Sequence, residues 1–165
     1  AIPFAHEKIE EWRDSLRRGI TLRIDATNVV VSGAIDDLWK NSNGELHIVD
    51  FKATSKDEEV TLDALWQEGY KRQMEIYQWL FRKNGFKISD TGYFVYCNGI
   101  TDKKAFDGRL EFDITILPYV GDDSWVERTI FDAIDCLKSD KLPKSGDDCD
   151  FCKYRNAVRE YEKEY

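Results

Sequence analysis

The residues best placed to do chemistry lie in two short stretches, Gly33-Ala34-Ile35-Asp36 and Val49-Asp50-Phe51-Lys52. Alternate residues of a strand project from one face, so Asp50 and Lys52 point the same way, in line with Leu46 and Ile48. A carboxylate and an amine that close an otherwise apolar strand face are costly to bury unless they pair or bind an ion. Asn41-Ser42-Asn43-Gly44 is a hairpin signal that brings Asp36 back beside Asp50. Asp36 and the adjacent Asp37 fall on opposite faces by parity. The spacing from Gly33 favours Asp36 for the site and leaves Asp37 to solvent. Two carboxylates from neighbouring strands, with a lysine beside them, suit a hard, oxygen-seeking cation such as Mg²⁺. Such an ion would keep several waters, bind a phosphate oxygen and lower the pKa of a bound water. Lys52 would orient or deprotonate that water, or neutralise charge on pentacoordinate phosphorus. Gly33 suits a strand position where another backbone or a substrate comes close.

The elements that must position these groups can be read from periodicity. Residues 6–18 carry Ile9, Trp12 and Leu16 at helical intervals, with Gly19 as a stop. Residues 21–39 are β-like, with a polar turn at Thr27-Asn28, and 45–53 form the next strand, which together predicts an antiparallel meander. After a polar loop over 54–60, a long helix is expected over 61–83, with Leu62, Leu65, Trp66, Tyr70, Ile76, Tyr77, Leu80 and Phe81 on its packed side. Asn84-Gly85 ends it. The continuous apolar run 93–97 reads as a strand buried on both faces. The alternation over 110–117 (Leu110, Phe112, Ile114, Ile116) predicts a half-buried strand. A second long helix is expected over 124–137 with Ser124 as N-cap, and Pro143 and Gly146 mark a loop before the 149–165 segment. The order predicts one mixed α/β domain over 1–165, a central sheet of about five strands flanked by helices.

Composition narrows the classes. The 165 residues include 42% hydrophobic and 13% aromatic side chains, enough for a continuous core. The 34% charged residues are dispersed rather than blocked. No stretch reaches the roughly 18 apolar residues of a membrane helix, and 1–6 lack the pattern of a signal peptide, so a cytoplasmic protein is expected. The net charge of −8 argues against wide phosphate neutralisation. It leaves room for a protein whose acids bind metal.

Three motifs in series, Gly33-x-x-Asp36, Asp50-x-Lys52 and Gln73-x-x-x-Tyr77, resemble the PD-(D/E)XK nuclease superfamily, in particular the branch of the RecB nuclease domain and its CRISPR-associated relatives. The surrounding text (GAIDDLW, IVDFKATSKD, YKRQMEIYQWLFRKNGF) is similar to uncharacterised bacterial members, from about residue 20 to Tyr154. The resemblance implies a restriction-endonuclease-like core and a Mg²⁺- or Mn²⁺-dependent deoxyribonuclease, exo- or endonucleolytic, in DNA repair, recombination or defence. It implies Asp36 and Asp50 as metal ligands with the Phe51 carbonyl, Lys52 as the catalytic lysine, and Gln73 and Tyr77 as helix residues that support the site and the DNA backbone. DNA is the implied partner, with other protein subunits in some assemblies. Many relatives add a ligand from an upstream helix. His6 is the visible candidate, and with Ala1 in first position an N-terminal segment is expected to be missing. Some relatives hold an iron–sulfur cluster with one N-terminal and three C-terminal cysteines. This chain has Cys149-x-x-Cys152, and Ala157 stands where a further cysteine would be.

Plainer roles compete at each position. Asp50 and Lys52 could be an exposed ion pair, Gln73 and Tyr77 plain helix packing, and His6 a surface histidine. His47 points away from Asp50 as cross-strand decoration. Cys97 and Cys136 read as small buried hydrophobes, and the tryptophans as core. Cys149 and Cys152 are a candidate second metal site, for zinc or an iron–sulfur cluster, only if further ligands come from elsewhere. As free thiols or half a metal site they fit better than as a disulfide. The alternative to an enzyme is an inactive nuclease-fold module that binds nucleic acid or a protein partner.

Overall fold

The computed structural model describes residues 1–105 and 107–163. They fall into two compact units, Ala1–Glu127 and Arg128–Tyr165. The first holds β1 (Ile2–Pro3), α1 (Ile9–Arg13), β2 (Ile20–Arg23), β3 (Val30–Gly33), β4 (Asp37–Lys40) and β5 (Leu46–Thr54). A 3-10 turn (Leu65–Gln67), α2 (Glu68–Lys83), β6 (Thr91–Gly99) and β7 (Phe112–Val120) follow. Helix α3 (Val126–Lys138) runs across the boundary, and α4 (Asp150–Lys163) belongs to the second unit.

Five strands form the central sheet in the order β1-β4-β5-β6-β7. Only β5 and β6 run parallel; the other neighbours are antiparallel. A parallel pair needs a long crossover, and the segment carrying α2 supplies it. This is the mixed, helix-flanked α/β sheet the sequence predicts. Leu38, Leu46, Ile48 and Phe94 on the sheet and Met74, Leu80 and Phe81 on α2 are all buried in the core. Helix α1 adds Trp12, whose ring stands edge-on to Phe81 at 5.1 Å between centroids.

The 21–39 run departs from the expected meander. Strands β2 and β3 pair only with each other, as a separate two-stranded sheet, and the chain leaves strand geometry after Gly33. The reason is local: the Ile35 N–H donates to the carbonyl of Trp12 at 3.1 Å, tying this turn to α1 instead of a neighbouring strand. The turn at Thr27 is as expected, its hydroxyl donating to the Ile24 carbonyl at 2.8 Å.

Helix α1 is shorter than the periodicity predicts. Asp14 accepts from the N–H groups of Leu16 and Arg17, both at 3.2 Å, which closes the helix and leaves Leu16 in solvent. The long helix starts at Glu68, not near 61, because Ala64 is extended and the chain enters through a 3-10 turn. Leu65 and Trp66, expected in the core, are exposed. Strand β7 runs through Pro118, which an edge strand tolerates. Its alternation is inverted: Phe112, Ile114 and Ile116 are exposed, while Thr115, Leu117 and Tyr119 are half-buried. Register explains this, since Ile116 pairs with Val95 and Leu117 with Phe94, and Phe94 shares the face of Asp50 and α2.

Candidate active site

Asp50 ends the buried half of β5, and Lys52 follows where the strand becomes partly exposed. The β5–β6 register pairs Asp50 with Phe94 and Lys52 with Tyr96, so all four side chains share one face. Helix α2 lies along that face. The Lys52 Nζ is 2.7 Å from Asp50 Oδ2, and both side chains are largely buried. No other partner for that oxygen is found among the described residues. Burial raises the Asp50 pKa above its ordinary value, the Lys52 ammonium pulls it back down, and the charge of Asp36 pushes it up again.

Asp36 closes the turn between β3 and β4. Its Oδ2 accepts from the Phe51 N–H at 2.7 Å, which fixes its carboxylate against β5 next to Asp50. Arg13 of α1 holds the turn from behind, donating through Nε to the Asp36 carbonyl at 2.9 Å and pairing with Asp37 at 2.6 Å. Asp37 also accepts from the Leu38 N–H at 2.8 Å. The expectation that Asp37 is solvated is therefore corrected: it is buried in this ion pair. Asp36 lies in the bend before β4, so strand parity does not set its direction.

The third motif reaches the same point from α2. Lys52 Nζ donates to Gln73 Oε1 at 3.4 Å, and Gln73 Nε2 donates to the Tyr77 hydroxyl at 2.8 Å. Burial is the main cause of a raised Tyr77 pKa, with the charges of Asp50 and Asp36 acting in the same sense. Gly33 joins the chain of contacts from below. A Cβ there would stand 2.8 Å from Tyr77 Cε1 and 3.0 Å from Leu80 Cδ1, so the close approach that requires glycine is made by α2 side chains. It is not made by a second backbone.

Two aromatic groups were missed. The Lys52 Nζ lies 4.0 Å from the centroid of the Tyr70 ring, a cation–π contact. The Tyr96 hydroxyl accepts from Gln67 Nε2 at 3.1 Å beneath it. Tyr70, Gln73 and Tyr77 follow helical spacing, and that signal could have drawn Tyr70 into the site.

The remaining candidates lie elsewhere. His6 stacks on Trp12 with centroids 4.5 Å apart, and its Nδ1 accepts from the Lys8 N–H. His47 is buried on the face opposite Asp50, its Nδ1 2.7 Å from the Thr91 carbonyl, so it packs rather than decorates. Cys97 is half-exposed and Cys136 exposed, which corrects their reading as buried hydrophobes. Cys149 and Cys152, one turn apart where α4 begins, are joined as a disulfide and in that state offer no thiolate to zinc or iron. Among the described residues, no group of three or more His, Cys, Asp or Glu side chains is gathered for a metal. No described helix is long and apolar enough to cross a membrane.

A sequence model of the PD-(D/E)XK nuclease superfamily matches residues 2–157. No curated protein matches the chain. A solved structure titled "Crystal structure of SSO0001" is similar with a TM-score of 0.41 and 19% identity, over 74% of this chain and 48% of that one. The chain thus spans about half the length of that protein.

Proposed function

The chain belongs to the PD-(D/E)XK nuclease superfamily, and from that premise we propose that it is a divalent-metal-dependent deoxyribonuclease of the RecB-like branch. The work such an enzyme would do lies in DNA repair, recombination or defence. The family match runs through both compact units, which supports reading 1–165 as one nuclease domain.

One observation carries the proposal: Lys52 joins the second motif to the third, and the third reaches the first through Tyr77. Lys52 contacts Asp50 on its own strand and Gln73 on α2, Gln73 contacts Tyr77, and Tyr77 occupies the space left by Gly33. The donor set suits Mg²⁺ or Mn²⁺. Asp50 Oδ2 is buried with one cationic neighbour, and Asp36 stands beside it with one oxygen committed to the Phe51 N–H. Asp36, Asp50 and the Phe51 carbonyl would hold the ion, and Mg²⁺ takes its other ligands from water and phosphate. When bound, the ion would supply Lewis-acid polarisation of a phosphate oxygen and a more acidic water.

The protein's own groups then have distinct tasks. Asp36 and Asp50 supply negative charge held in place by the Phe51 N–H and by Lys52. Lys52, steered by Gln73 and Tyr70, presents an N–H to the attacking water or to the phosphorane oxygens. Tyr77 orients Gln73, and so acts on Lys52 at one remove. The test is cleavage of labelled DNA in Mg²⁺ or Mn²⁺, with Asp50→Ala and Lys52→Ala each expected to abolish it. Failure of the wild-type chain to cut single- or double-stranded DNA with either ion would overturn the proposal.

A further inference from the structure

Next to the catalytic lysine the surface carries an aromatic group that packing does not explain. Trp66 is 57% exposed, although indole is among the most costly side chains to leave in water. It is held there by rigid neighbours. The adjacent Gln67 is fully buried, donates to the Thr61 carbonyl and the Tyr96 hydroxyl, and accepts from the Ala64 N–H. The 3-10 turn is therefore pinned to the sheet with Trp66 directed outward.

Trp66 also continues the contacts of the site. Its ring meets Tyr70 edge-on at 5.4 Å, and Tyr70 carries the Lys52 ammonium on its face. A second amine, Lys56 Nζ, lies 5.2 Å from the Trp66 centroid. The Lys56 backbone is fixed on both sides by Asn98, which donates to its carbonyl at 2.9 Å and accepts from its N–H at 2.8 Å. The order from surface to centre is amine, indole, phenol, amine. Further along the loop, Asp57, Glu58 and Glu59 are exposed and would repel a phosphate.

We propose that Trp66, flanked by Lys56 and Tyr70, is a stacking subsite for one unpaired nucleobase beside the scissile phosphate. The inference rests on the nuclease reading and adds to it the form of the substrate. Inside a duplex both flat faces of a base are covered by its neighbours, so an internal base must be unpaired or flipped to lie on the indole. Lys56, long and exposed, then pairs with the phosphate of the stacked nucleotide.

Steady-state cleavage of a thymidine oligonucleotide, scanned with single abasic residues, tests this on the whole chain. Stacking on one aromatic group predicts about a tenfold rise in KM for Trp66→Ala with kcat little changed, and near-normal KM for Trp66→Phe. An abasic residue next to the cut should cost the wild type about tenfold and Trp66→Ala nothing further. Equal sensitivity of the two proteins to the abasic residue, or an unchanged KM in Trp66→Ala, would overturn the subsite. If the wild type cuts nothing, the nuclease reading fails separately, and equilibrium binding of the same oligonucleotide in chelator decides the subsite. About tenfold weaker binding by Trp66→Ala supports it, and equal binding overturns it.

Discussion

Two carboxylates on the same side of the sheet are almost equally buried, Asp50 at 5% exposure and Glu75 at 8%, yet their surroundings differ in kind. Glu75 accepts from the Tyr119 hydroxyl and the Trp125 indole N–H, each at 2.6 Å, and from the Asp122 N–H at 3.2 Å. Its charge is spread over three donors that tie α2 to β7 and to the loop after it. Asp50 has one ammonium beside it, a second carboxylate near it, and an oxygen with no further partner among the described residues. A saturated carboxylate is a staple. An under-saturated one beside a like charge lowers its energy by taking up a cation or a proton.

The largest contrast is expected in activity. Asp50→Asn keeps the shape and removes the charge, so cleavage in Mg²⁺ should fall below detection while the fold survives, as read from circular dichroism and the melting temperature. Lys52→Ala should likewise take cleavage below detection, a loss of at least the roughly 10²–10³-fold usual when one preorganised donor is removed. The opposite pattern is expected at Glu75. Glu75→Ala removes the acceptor shared by three donors that tie α2 to β7 and to the loop after it, and should cost about 3 kcal/mol in urea unfolding. If Asp50→Asn and Glu75→Ala destabilised the protein alike, the distinction between site and staple would fail.

Acidity sharpens the same contrast. The Asp50 pKa is raised in the folded protein, chiefly by burial, so the native state holds that proton more tightly than the unfolded chain. Below the ordinary value of 3.8 the proton is bound in both states and the group is neutral with respect to folding. As pH climbs through the raised value, the native carboxylate ionises at a cost and stability is lost. The wild type should therefore become less stable than Asp50→Asn over that window, as followed by urea midpoints at successive pH values. Added Mg²⁺ should restore the wild type at neutral pH and leave the variant unmoved. A gap that is constant with pH would mean that Asp50 is not the titrating group.

The mixed central sheet was legible in the sequence, and so were the faces of its strand β5, for a physical reason. Strand parity is rigid, so Asp50 and Lys52 could be placed on one face from β5 alone, whereas Asp36 lies in the turn before β4, where parity does not reach. The identity of each strand's partner is not local. Strands β2 and β3 alternate as convincingly as β4, and only the Ile35 bond to Trp12 shows why they leave the sheet. The inverted face of β7 has the same origin, since alternation marks an apolar side without saying which layer it meets. Trp66 keeps helical spacing with Tyr70, the signal of a core position, while the extended Ala64 puts it before the helix. Nothing local in the sequence marks Asp37 as paired, because its partner, Arg13, lies on a different element.

The smallest expected effects concern the far end of the contact chain, where site and packing overlap. Gly33→Ala would set a methyl 2.8 Å from the Tyr77 ring, and the ring has limited room to retreat because Leu80 borders the same space. Overpacking of this kind costs about 1–3 kcal/mol. Tyr77→Phe keeps the ring and deletes only the hydroxyl that accepts from Gln73, at about 1 kcal/mol. If Tyr77 serves only packing, the phenylalanine variant should match the wild type in kcat. If it positions Gln73 and through it Lys52, kcat should drop several-fold while KM holds, and Gln73→Ala should make the second change silent. A double-mutant cycle on kcat separates these outcomes, because two residues acting in series on one amine cannot add their losses.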